Sequence, residues 1–218
     1  MGTISENKLG GLALIVGPIV GLVSYLIRPG GGLVGGNVDP ANPIASIGVL
    51  MANADIANIS LLLGPIGGVI LFYGLRHVVE SVLKGGNGGA LATLGVPMVL
   101  ITVIGWVISG ALANTIASGS AGPGAGALYV SQLGIGLTTG IIGGIGFLLV
   151  TLAATTNDFF NKKFAIAATV AAAVGLVCSI LGANDLSQLQ TMNQITGVAW
   201  LVVTVWSVIV GLAVMKKG

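Results

Sequence analysis

Residues 54–81 read ADIANISLLLGPIGGVILFYGLRHVVES. The stretch opens on Asp55 and Asn58, runs through an uncharged apolar body, and ends on Arg76, His77 and Glu80. An α-helix rises about 1.5 Å per residue, so roughly 20 apolar residues cross a hydrocarbon core of about 30 Å. The body of this stretch has that length and carries no charge. It predicts a transmembrane helix over 56–79.

Five more stretches repeat the plan, over 9–27, 90–113, 128–155, 164–183 and 195–215. Together they predict an all-α, polytopic integral membrane protein: one domain over 1–218, with six transmembrane helices in one bundle. Composition points the same way. Charged residues make up 6% of the chain, against about 25% in ordinary soluble domains. Eight basic and six acidic side chains cannot coat a soluble core of this size, so the expected solvent is the lipid bilayer. A net charge of +2 and the lack of any basic run exclude nucleic acid as a partner. The first apolar run is followed by Arg28-Pro29-Gly30 rather than a small-residue cleavage pattern, so it is read as a retained helix.

The basic residues set an expected orientation. Alternating spans put Lys8, Arg76, Lys84, Lys162, Lys163, Lys216 and Lys217 on one side and leave only Arg28 on the other. The positive-inside rule then predicts N-in/C-in, with the prokaryotic cytoplasmic membrane as the expected location. On the predicted outer side, the long loop over 28–55 contains an expected interfacial helix over 43–54. Asn42 is its N-cap and Pro43 its first helical residue, with Ile44, Ile47, Leu50 and Met51 on one apolar face. Pro18, Pro65 and Pro97 fall inside spans, where kinks rather than ends are expected.

Small residues recur every fourth position in most spans, which lets helix backbones approach closely. Gly136, Gly140 and Gly144 are the candidate helix–helix or subunit contact. The stretches LIVGPIVG (14–21) and LLLGPIGG (61–68) resemble each other, although so Gly-, Leu- and Ile-rich a composition also produces such matches by chance. Polar residues gather at the predicted outer ends: Asn53, Asp55, Asn58, Asn114, Asn184, Asp185, Asn193 and Gln194. Of these, Asp55, Asn58, Asn114, Asn184 and Asp185 are the candidate outer pocket or partner contact. The competing reading makes Asp55 a simple cap for the second span.

Chemistry is sparse. No ionisable side chain other than Cys178 lies near the middle of a span, which argues against proton relays and voltage sensing. His77 is the single histidine and Cys178 the single cysteine, no G-x-S-x-G elbow occurs, and no cofactor is evident. The expectation is a non-catalytic protein rather than an enzyme. Two roles remain. One is a structural or accessory subunit of a larger membrane assembly, with protein partners or copies of itself. The other is a passive channel or transporter for a small neutral solute. A solid glycine-packed interior favours the first and a polar cavity the second.

Overall fold

Ser5 starts the first helix by accepting a hydrogen bond from the Lys8 N–H at 3.3 Å, and α1 then runs over Glu6–Ile27. In the computed structural model, which describes residues 4–31 and 33–217, the other helices are α2 (Pro43–Ala52), α3 (Ala54–Val78), α4 (Gly89–Ala117), α5 (Ala125–Thr155), α6 (Lys162–Asn184) and α7 (Leu189–Met215). Six helical segments are long and apolar enough to cross a membrane, and α2 is the short one. The prediction for α2 holds at its start, where Asn42 Oδ1 accepts from the Ala45 N–H at 3.1 Å ahead of Pro43. It ends at Ala52, two residues short of the expected 54.

The spans outrun their apolar bodies because polar flanks continue the helices. Asn161 caps α6 by accepting from the Lys163 N–H at 3.1 Å, so α6 starts at Lys162 rather than 164. Asp55 does not cap α3. Asn53 occupies the cap position without a side-chain bond, and Asp55 sits exposed in the first turn, where its charge still faces the positive helix end. At the other end, α3 widens into a π-helical turn, Val79–Leu83, closed by Lys84 N–H donating to the Val79 carbonyl at 2.7 Å. The widening keeps Val78, Val79 and Leu83 all buried, and a 3.6-residue periodicity does not announce it.

The spans pack in chain order, α1 on α3, then α4, α5, α6 and α7, and α7 returns to α1. The bundle is therefore a closed ring of antiparallel helices. One end, the lysine face, carries Lys8, Arg76, Lys84, Lys162, Lys163, Lys216 and Lys217. The other, the loop face, carries Arg28, and α2 packs there on α3, α4 and α5. Arg76 Nε donates to Glu80 at 2.8 Å, and His77 pairs with Asn7 at 2.9 Å, so the start of α1 and the end of α3 are tied together at the lysine face.

Glycine brings α1 and α3 into backbone contact. A Cβ on Gly67 would lie 2.7 Å from both the Gly17 carbonyl and the Gly21 nitrogen. The two similar stretches, 14–21 and 61–68, are thus the seam between the first two spans. Gly95 and Gly146 form an equivalent seam between α4 and α5, where a Cβ on either would lie 2.7–2.8 Å from the carbonyl of the other.

The helices run through all three prolines without ending. Proline has no N–H, so Pro18 leaves the Leu14 carbonyl, four residues back, without its helical donor. Ser207 of α7 supplies one: its hydroxyl donates to the Leu14 carbonyl at 2.7 Å, and both residues are at most 1% exposed. Replacing Ser207 by alanine should cost about 1–3 kcal/mol, the usual penalty for an orphaned buried acceptor. Reversible unfolding in mixed micelles measures it. Ser207→Thr should recover most of the loss, and an alanine variant as stable as the parent would refute the assignment.

The core fills the lysine-face half of the ring. Leu14, Leu75, Val78, Val99, Val150 and Val214 are essentially inaccessible there. A separate cluster under α2 joins Leu50, Ala57, Leu61, Ala113, Ile116 and Tyr129. Between the two, towards the loop face, the centre of the ring is open.

Candidate functional site

The opening begins with a deficit of side chains. Along α5, residues 129, 132, 133, 136, 140, 143, 144 and 147 fall on one helix face and turn toward the ring centre. Four of them are glycines. Across from them α6 presents Ala171, Ala172, Gly175 and Ser179. Two facing stripes of small residues either touch or leave a void. Gly144 touches: its Cβ would lie 3.1 Å from Leu176. Gly136 and Gly140 leave the void, since a Cβ on Gly136 would meet nothing within 4 Å and one on Gly140 only Ser179 Oγ at 3.8 Å.

The result is a chamber of about 400 Å³ bounded by α4, α5, α6 and α7 and roofed by α2 and the loop after α1. That volume falls within the usual range for small-molecule sites, about 300–1,000 Å³. Its deep end is apolar and aromatic. The Trp200 ring packs edge-on against Phe147 with centroids 5.0 Å apart, and lies 5.8 Å from Trp106. Below them Val203, Trp206 and the lysine-face core close the ring, so the chamber is blind on that side.

The mouth is polar. Asn37, Gln190, Asn193 and Gln194 line the rim together with Tyr25, Arg28 and Ser46. The roof is pinned by side-chain hydroxyls. Tyr129 donates to the Pro40 carbonyl at 2.7 Å, Ser46 to the Asp39 carbonyl at 3.3 Å, and Tyr25 to the Asn193 carbonyl at 3.2 Å. The loop reverses through Gly30 and Gly35, whose φ values of +87° and +70° favour glycine, and Gly30 N–H donates to the Val34 carbonyl at 2.9 Å.

Among the described residues, Arg28 is the one charged side chain lining the chamber. It follows directly on α1, where the chain leaves the helix. Its side chain is exposed and borders the chamber mouth, with Tyr25 and Tyr129 close enough to act on its charge. Desolvation works against its charge and lowers its pKa, opposed by Tyr129 and Tyr25. The guanidinium nevertheless stays protonated at physiological pH. Among the described residues it has neither a salt bridge nor a side-chain hydrogen bond within the fold.

A second cavity of about 230 Å³ abuts the first, between α1, α3, α4 and α7. Tyr25, Arg28, Trp106, Ser109, Gln132 and Trp200 border both. Gln132 is 7% exposed and its side-chain oxygen has no partner within the protein, although its backbone carbonyl accepts from Ser109 at 3.2 Å. Thr204, on the smaller cavity, likewise has an unpaired buried hydroxyl. Buried polar groups normally find partners. Here two without one face the same pair of connected spaces.

The residues singled out from sequence distribute differently. Asn193 and Gln194 reach the chamber rim, whereas Asp55, Asn58, Asn114, Asn184 and Asp185 border neither cavity. Asp55 is exposed, Asn58 and Asn114 are half-buried on α3 and α4, and Asn114 keeps an unpaired oxygen. Asn184 donates back to the Ile180 carbonyl of its own helix at 2.8 Å. Asp185 accepts from the Ser187 hydroxyl at 2.6 Å and the Gln188 amide at 2.8 Å, bonds that hold its carboxyl below the usual range. The five thus fall into two groups, on helices that are not neighbours in the ring. Arg28 and Gln132 were not singled out as site residues. The usable signal was a lone arginine between Tyr25 and a glycine-rich loop, facing two small-residue stripes. No cluster of three or more potential metal ligands occurs among the described residues. Comparisons with protein-family models, with curated proteins and with solved structures find no match, so the chamber is interpreted from its own residues.

Proposed function

We propose that the protein binds a small solute in the loop-face chamber and carries it as a membrane transporter. The single observation behind this is the 400 Å³ chamber itself, open at a polar rim and blind at Phe147, Trp106 and Trp200. A space open on one side suits a carrier that alternates between faces better than a continuous pore. The glycine pairs Gly17–Gly67 and Gly95–Gly146 are satisfied inside the ring. Those small-residue faces therefore lend no docking surface to the accessory-subunit alternative. No catalytic role is part of this reading. The orientation proposed with it is N-in/C-in in a prokaryotic cytoplasmic membrane, supported by the seven basic residues on the lysine face. The chamber then opens to the outside.

The test has two parts. Fusions of a fluorescent protein and of alkaline phosphatase to the C-terminus should be active and inactive respectively, and the opposite pattern would reverse the orientation. Purified protein screened against a solute panel should show a saturable change in tryptophan emission, since Trp106 and Trp200 line the chamber. Emission unmoved by every solute, in a protein shown to be folded, would remove the carrier reading.

A further inference from the structure

Resting on the chamber reading, we infer that the solute is a single-chain anionic amphiphile, its head group on Arg28 and its chain along the α5–α6 glycine stripe. The neutral solute expected from sequence is thereby replaced by a charged one. Three observations carry the inference. Arg28 is a cation with no ionic partner among the described residues, and no aspartate or glutamate lines either cavity. A guanidinium at the chamber mouth favours an anion that can take its fork of N–H donors. Gln132, next to the same space, has a carboxamide end without a partner and is 93% shielded, from its 7% exposure. Rotating that amide exchanges donor for acceptor, so it can serve a head group of either kind.

The third observation is the shape of the apolar part. The lining face of α5 runs from Tyr129 to Phe147, a rise of about 27 Å. That exceeds one leaflet of a hydrocarbon core about 30 Å thick, so a chain of ordinary lipid length fits. The wall along it is Gly136 and Gly140 facing Gly175 and Ser179, with Leu176 and Phe147 deeper. Its hydroxyls, Thr102 and Ser179, already donate to backbone carbonyls, so the wall offers mainly apolar contact, which suits methylene groups better than a second charge. Charge at the mouth and hydrocarbon at depth describe an amphiphile.

The experiment uses the full-length protein in nanodiscs of zwitterionic lipid. The probe is stearic acid brominated at mid-chain, whose bromines quench tryptophan on contact. Saturable quenching is expected, because the chain passes Trp200. The matching brominated alcohol, which lacks the charge, should bind about tenfold more weakly or worse. Arg28→Gln should reduce acid binding to the level of the alcohol and leave alcohol binding unchanged, which also shows that the variant is folded. Arg28→Lys should retain part of the preference. Equal binding of acid and alcohol by the parent would overturn the anionic assignment while leaving the chamber reading intact. Gly140→Leu, which fills the chamber, should abolish quenching. Quenching that survives it would come from the bilayer, and both readings would then fall together.

Discussion

Gly67→Leu is expected to push α1 and α3 apart and to yield a protein that does not survive mild detergent. The Cβ alone would sit 2.7 Å from two backbone atoms of α1, and backbone cannot rotate out of the way as a side-chain tip can. Overpacking of a core ordinarily costs about 1–3 kcal/mol. A leucine between two helix backbones belongs at or beyond the upper end, because the whole Gly17–Gly21 seam has to open. A domain holds only about 5–15 kcal/mol in total. The readout is the monodisperse fraction in size-exclusion chromatography, with the thermal midpoint for whatever remains. Gly67→Ala should be the milder form of the same defect. A leucine variant with a parental thermal midpoint would mean that the two helices are not in backbone contact.

Gly136→Leu and Gly140→Leu should behave in the opposite way. They are glycines in an equally regular ladder, but a Cβ on Gly136 enters open space and one on Gly140 meets only Ser179 Oγ, at a comfortable 3.8 Å. Each replaces a flexible helix residue by a strong helix former, a gain of up to about 1 kcal/mol for an exposed helix position. Added apolar contact across the chamber adds to it. Both variants are therefore expected to be as stable as the parent or more so, and to lose solute binding, as judged by tryptophan quenching. Gly144→Leu separates the cases on the same helix, since it strikes Leu176 at 3.1 Å and should destabilise. If Gly136→Leu and Gly140→Leu unfold the protein, the chamber is not a void in the folded state.

These contrasts show why the sequence was legible in some places and not in others. The six spans and the Asn42–Pro43 start of α2 follow from local chemistry, through hydrophobic length and capping, and they stand. The four-residue ladders also follow from local chemistry. What each ladder touches does not: Gly67 meets a backbone and Gly136 meets nothing, and the two look alike in sequence. The difference lies in what each helix faces in the closed ring, Gly67 the backbone of α1 and Gly136 the ring centre, a placement that no local pattern carries. Arg28 was visible in sequence only as the lone basic residue on its side. Its placement over the chamber depends on a loop that reverses at Gly30 and returns under Tyr129.

The pairing of first span with last has a bearing on how the molecule is made. Helices leave the ribosome in order, so α1 enters the bilayer with its Leu14 carbonyl bare and its Gly11 face uncovered. Both wait for Ser207 and Gly211, which belong to the final helix. Until α7 arrives, the barrel-like enclosure has an open side seam, and lipid rather than protein forms one wall of the future chamber. A translation pause or truncation before α7 would hence leave five inserted helices with a lateral gap onto the same polar arginine.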